Sequence, residues 1–159
     1  MTAADEDLSR RAAVQQMERQ YNRRLAEKLK ALLPQCEIVL PQDFRVGSAS
    51  FNDRRHLASV FRRCIEELSG ADVVLALLDG ADADSGVAFE AGYARALGKP
   101  VLGVRTDYRQ SQVKGLNLML AAGASEILCH FSFNEQLDDL ADLIVAHLEH
   151  LAPGRAARG

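Results

Sequence analysis

In the stretch "DADSGVAFEAGYARALGKPV", residues 82–101, one acidic side chain stands among apolar ones. Wound as a helix with Ser85 at the cap and about 100° per residue, the stretch brings Gly86, Val87, Tyr93, Ala94 and Leu97 within about 60° of Glu90. Arg95 and Lys99 fall opposite. Glu90 lies past the first turn, so capping does not account for it, and a helix dipole offers only a few tenths to ~1 kcal/mol. A carboxylate on an apolar face costs several kcal/mol unless it is hydrogen-bonded or lines a cavity. More acids gather nearby in "DGADAD", residues 79–84, with Asp79, Asp82 and Asp84, and Arg105, Thr106 and Asp107 follow in "VRTD". Carboxylates converging without a lysine between them suit a divalent metal, or acid/base and nucleophilic work at a sugar carbon. No compact ligand set exists outside "DGADAD", so the second chemistry is favoured and no metal or other cofactor is expected.

The elements that must position these residues follow from periodicity. Val14, Met17, Tyr21, Leu25, Leu29 and Leu32 recur every three or four positions, predicting an amphipathic helix over about 6–33, closed by Pro34. "EIVLP", residues 37–41, reads as a short buried strand. A second helix starts near Asn52, with Leu57, Val60, Phe61, Cys64 and Leu68 as its inner face. "ADVVLALLDG" and "PVLGVRTD" are continuous apolar runs ending in acids, the pattern of strands buried on both faces in a parallel sheet. The Glu90 helix joins them. A short helix over 115–123, a strand "SEILCHF" and a closing helix with Leu137, Leu140, Ile144, Leu148 and Leu151 complete the alternation. The expected fold is α/β: a doubly wound, flavodoxin- or Rossmann-like parallel sheet with helices on both faces, in three layers. Ligands in such folds sit beyond the carboxyl ends of the strands, where Asp79, Asp84 and Arg105 fall. Helical side chains lean toward the helix N-terminus, which aims Glu90 at the same rim.

The chain has 159 residues and a formal net charge of −3. That length suits one domain over 1–152 with a disordered tail at 153–159, and the charge gives no basic stripe for a nucleic-acid polymer. The apolar runs are too short to span a membrane and the acidic start is unlike a signal peptide, so a cytoplasmic location is expected. Cys36, Cys64 and Cys129 form no CxxC pair and are read as reduced, mostly structural thiols. Cys64 is read as a small core hydrophobe, and His56, His147 and His150 as solvated.

"ADVVLALLDGADADSGVAFEAGYARALGKPVLGVRTDYR" followed by "LNLML" resembles the nucleoside 2-deoxyribosyltransferases, in order from the first helix and "VLPQ" to the last strand. The specific part is the acidic LDG, then D-S-G, E-x-G-Y-A and G-K-P-V. The resemblance implies that Glu90 is a nucleophile attacking the anomeric carbon of a 2'-deoxynucleoside, and that Asp84 positions the sugar. It implies that Asn117 and Met119 complete the site of a neighbouring subunit, hence a homo-oligomer. It also implies a place in nucleotide salvage, with a deoxynucleoside and a free nucleobase as the small-molecule partners. Asp79 is assigned to the proton network for the departing base, Gly86 to substrate contact, and Gln42 either to the base or to an ordinary loop. Some relatives carry a base-contacting aspartate at the position of Cys64.

The chemistry agrees with that assignment. A carboxylate stabilises, and bonds to, an anomeric centre developing oxocarbenium character, and apolar surroundings keep competing water away. Family members open with a strand of the type I-Y-L-A-G-P-L-F, to which nothing here corresponds. Either the start lies upstream, or the sheet closes with residues 37–41 beside "DVVLALL". Two other functions are carried forward: hydrolysis of the N-glycosidic bond of deoxynucleosides or their 5'-monophosphates, with Arg105 and Arg109 as phosphate partners, and an inactive nucleoside-binding module. A phosphoryl-accepting receiver domain needs an acidic pair after its first strand and a lysine after its last, and neither is legible.

Overall fold

The computed structural model describes residues 19–44, 53–80, 82–107, 116–131 and 137–152. Residues 6–18 of the expected first helix, Asn52, Arg109 and the tail at 153–159 lie outside that set. The first helix, α1, occupies 19–32 of the described residues. A 3-10 turn at Pro41–Phe44 leads to α2 (Arg54–Gly70), β1 (Val74–Leu77), α3 (Ser85–Ala96), β2 (Val101–Arg105), α4 (Leu118–Gly123), β3 (Glu126–Cys129) and α5 (Leu137–Leu151).

The three strands are parallel and ordered β1-β2-β3. Their alternating side chains divide the core in two. Leu102 and Val104 of β2 and Leu128 of β3 pack with Leu25 and Leu29 of α1 and Leu137, Leu140, Ala141 and Ile144 of α5. On the opposite face Ala76, Leu78 and Val101 pack with Ala91 and Ala94 of α3 and Leu116, with Leu120 and Ala121 of α4 alongside. Helices therefore cover both faces, and the three-layer α/β architecture expected from the sequence is the one found.

Four expectations need correction. Residues 37–40 run without strand pairing, and residue 41 opens the 3-10 turn. Ile38 packs on the α1/α5 cluster while Val39 is exposed, so one side of this segment is covered but no ladder forms; Pro41 has no N–H to donate to one. The sheet does not close up with 37–41 beside β1. β1 is accordingly an edge strand among the described residues, and only Ala76 within it is buried, whereas all of β2 is. In α1 Ala26 is also buried, as is Leu33 just after the helix, while Leu32 is exposed. Finally, α2 buries none of its residues; its expected inner face leaves Leu57 and Phe61 exposed, and among the described residues the helix packs chiefly on α3 and the 3-10 turn.

The surface groups also differ from expectation. Cys36 and Cys129 are exposed thiols. His147 and His150 are not merely solvated: their Nδ1 atoms lie 2.5 and 2.6 Å from the two carboxylate oxygens of Glu126. That contact joins the first residue of β3 to the last turns of α5. No helix among the described residues is long and apolar enough to cross a membrane.

Candidate active site

The Glu90 helix begins one residue earlier than the sequence suggests. Asp84, not Ser85, is the cap, and its Oδ1 accepts hydrogen bonds from the N–H groups of Gly86 at 2.8 Å and Val87 at 3.2 Å. This satisfies two of the orphan donors of a first helical turn. A Cβ on residue 86 would lie 2.9 Å from that oxygen, so glycine leaves the carboxylate room to cap.

The apolar side of α3 then splits in two. Ala91 and Ala94 are buried against the sheet, with Val87 packed beside them. Glu90 lies on the adjoining flank, which turns toward α2. There a cleft of about 280 Å³ opens between the helices, lined by Phe61, Cys64, Ile65 and Leu68 of α2 and Gly86, Phe89 and Glu90 of α3. Its size is near the lower end for small-molecule sites. Phe61 and Phe89 form the mouth, with ring centroids 6.0 Å apart, and Phe89 stacks in turn on Tyr93 at 6.3 Å. Both mouth residues are more than half exposed, at 56% and 52%.

Glu90 is half-buried in this apolar setting, and burial pushes its carboxyl above the usual carboxylate range. The negative charge of Asp84 adds to the effect. Burial likewise raises the thiol of Cys64, and the charge of Glu90 raises it further. Cys64 is thus a wall of the cleft facing Glu90, which corrects its reading as a core residue.

The remaining predicted residues are placed elsewhere. Asp79 accepts from the Thr106 N–H and hydroxyl, both at 2.6 Å, and from the Asp107 N–H at 3.3 Å. It fastens the end of β1 to the end of β2 and does not line the cleft. Tyr21 of α1 joins this group: burial raises its hydroxyl, a hydrogen bond with Thr106 lowers it, and the charge of Asp79 raises it. Arg105, read from sequence as a phosphate partner, is 1% exposed and turned inward. It donates to the carbonyls of Leu78 at 2.7 Å and Gly80 at 3.1 Å and pairs with Asp107 at 2.8 Å. Gln42 donates to the Arg19 carbonyl at 3.0 Å, tying the 3-10 turn to α1. Asn117 caps α4 by accepting from the Met119 N–H at 2.8 Å, and Met119 itself is 79% exposed.

The cleft therefore holds Glu90 and Gly86, with Asp84 at the cap of the same helix and its charge acting on Glu90, while Asp79, Gln42, Asn117 and Met119 do not line it. Sequence reasoning missed Phe89 and Ile65, and it misread Phe61, Cys64 and Leu68 as core. The available signal was the phenylalanine directly before Glu90, facing a second helix with its own apolar stripe. Among the described residues, no three His, Cys, Asp or Glu side chains are arranged to hold a metal ion.

The parallel sheet with helices on both faces defines a Rossmann-like α/β protein. The sequence pattern of the family described as nucleoside 2-deoxyribosyltransferase matches residues 12–120, and the chain belongs to that family. Among solved structures it is similar to a conserved protein from Enterococcus faecalis V583, at 25% identity and a TM-score of 0.60, over 80% of this chain and 89% of that one. The fold is also that of a 2-deoxyribosyltransferase from Bacillus psychrosaccharolyticus, at 22% identity and a TM-score of 0.58, over 82% of this chain and 85% of that one. No curated protein matches the sequence significantly.

Proposed function

We propose that the protein transfers 2-deoxyribose between nucleobases through a covalent intermediate on Glu90. The observation that carries this reading is the half-buried Glu90 carboxylate beside Asp84 in an apolar cleft. An oxygen of Glu90 attacks C1' of a 2'-deoxynucleoside, the C1'–N bond breaks with its electrons going to the base, and the base nitrogen takes up a proton. A nitrogen of a second base then attacks C1', releases the carboxylate and gives up its proton. Asp84 uses Oδ1 for its cap bonds, which leaves Oδ2 to accept from a hydroxyl of the sugar. Asp79 serves the rim that carries these groups. The family membership supports nucleoside and nucleobase as the substrates.

Hydrolysis, with water as the acceptor, is the second reading, favoured by the exposure of Phe61 and Phe89 at the mouth. A second copy of the chain that brings Met119 and the adjoining Leu118 to the mouth would exclude that water, in keeping with the exposure of both side chains. The 5'-monophosphate form of the hydrolase reading has less support, since Arg105 faces the chain and not the cleft. The enzyme is assigned to a single cytoplasmic domain acting in salvage.

The test supplies a deoxynucleoside and a different free base to purified protein and to its Glu90→Ala variant. Exchange by the first and a loss of at least ~10³-fold in the second are expected. Equal rates of base release with and without the acceptor base would favour hydrolysis. Deoxynucleoside binding in a calorimeter, with neither exchange nor release, would replace both by a binding module.

A further inference from the structure

The loop that delivers Asp84 and Glu90 leaves β1 through Gly80, a residue whose backbone N–H and carbonyl are both held. The N–H of Gly80 donates to Oδ2 of Asp107 at 2.7 Å, and its carbonyl accepts from Nη2 of Arg105 at 3.1 Å. The same guanidinium holds the Leu78 carbonyl and closes on Oδ1 of Asp107 at 2.8 Å. Gly80 has φ +111°, and a Cβ there would lie 2.8 Å from the Asp82 carbonyl oxygen, so only glycine turns the chain in this way. Arg105 ends β2, the strand buried along its whole length. The clamp therefore ties the loop to the fully buried middle strand of the sheet. In the sequence three residues separate Gly80 from Asp84.

Resting on the transferase reading, we propose that Arg105 and Asp107 are positioning residues. By fixing the backbone N–H and carbonyl of Gly80 they set where Asp84 stands relative to Glu90, and so how the nucleophile meets the anomeric carbon. Lysine cannot replace Arg105 here. A single ammonium does not reproduce the planar fork that meets two carbonyls and a carboxylate together. Asparagine at 107 keeps one acceptor oxygen for the Gly80 N–H but removes the charge that pairs with the guanidinium.

The test compares wild type with Arg105→Lys and Asp107→Asn by two measurements at a temperature where all three are folded. The first is steady-state kinetics of base exchange. Since misplacement by ~1 Å costs on the order of 10²-fold, kcat should fall about 10- to 100-fold while KM changes less than about threefold. The second is the titration of the Glu90 carboxyl followed by carbon NMR, which requires no turnover. Glu90 should titrate above the usual carboxylate range in wild type and move back toward it in both variants, as Asp84 departs. Arg105→Lys keeps the charge, so such a movement reports geometry. Wild-type kcat with an unmoved Glu90 titration in a folded variant overturns the proposal. So does a loss of kcat with the titration unmoved, which would mark the clamp as structural support only. If wild-type protein neither exchanges nor releases bases, the transferase reading fails, and the titration alone still decides whether the clamp sets Glu90 against Asp84. Should Arg105→Lys not fold, Asp107→Glu, which also keeps the charge, carries both measurements.

Discussion

Helices α5 and α2 both carry an apolar stripe at helical spacing, and they meet opposite fates. α5 buries Leu137, Leu140, Ala141 and Ile144 against the sheet and α1, whereas α2 buries nothing and presents Phe61, Cys64, Ile65 and Leu68 to a cleft. Periodicity says that a face is meant to be covered, not what covers it. On α5 the cover is protein; on α2 the cover assigned here is substrate. The same contrast runs through α3, where small alanines press on the sheet and the flank one step around the helix carries Phe89 and Glu90.

The comparison can be broken by equal truncations. Leu140→Ala on α5 removes a fully buried side chain from the core, and about 2–5 kcal/mol of unfolding free energy should go with it. Phe61→Ala on α2 removes a side chain already 56% exposed, and should cost less than about 1 kcal/mol while raising KM for the deoxynucleoside roughly tenfold. Chemical denaturation and steady-state kinetics on both variants check this. A Phe61→Ala loss of stability as large as that of Leu140→Ala would make α2 an ordinary core helix.

A smaller effect is expected along the pH axis. The nucleophile works ionised, so exchange should fall as pH drops through the Glu90 titration, which lies above the usual carboxylate range. Asp84→Asn retains a good helix cap but removes the like charge, and the acid limb should move to lower pH. The part due to burial remains, so the limb does not return fully to that of a solvated glutamate. An unmoved limb in the pH–kcat/KM profile would show that the two carboxylates do not interact.

The least effect belongs to the far end of the sheet. Glu126 is held below the usual carboxylate range by hydrogen bonds from His147 and His150. A carboxyl lowered in the folded state contributes stability above its unfolded value, near 4.3, and loses it as pH falls through the folded one. Glu126→Gln should therefore lower Tm slightly near neutral pH, with the difference fading in strong acid. Thermal melts across that range check it, and they should leave exchange unchanged, since the contact lies at the amino end of β3, away from the cleft.

How much of this was legible from residues alone follows from the same contrast. The strands β1, β2 and β3 and the helices α1, α3, α4 and α5 announce themselves because each repeats its period for long enough to read. Residues 37–41 did not become a strand because an apolar run signals burial, while a strand also needs a partner, which a sequence does not display. Glu90 was legible because a charge on an apolar face contradicts its surroundings. The cleft opposite it was not, since Phe61 and Cys64 look like core whether they meet a sheet or a ligand. Arg105 misled for the reverse reason: a basic residue at a strand end reads as a phosphate partner, and only the fold shows it turned onto Leu78, Gly80 and Asp107.

The central claim is that Glu90 takes the deoxyribose. Wild-type protein mixed with a 2'-deoxynucleoside alone, quenched in acid and digested, should yield a peptide containing Glu90 heavier by one deoxyribosyl group. That mass should disappear when a second base is added before the quench. Exchange at the wild-type rate by Glu90→Ala, or an adduct carried by another residue, would contradict the account.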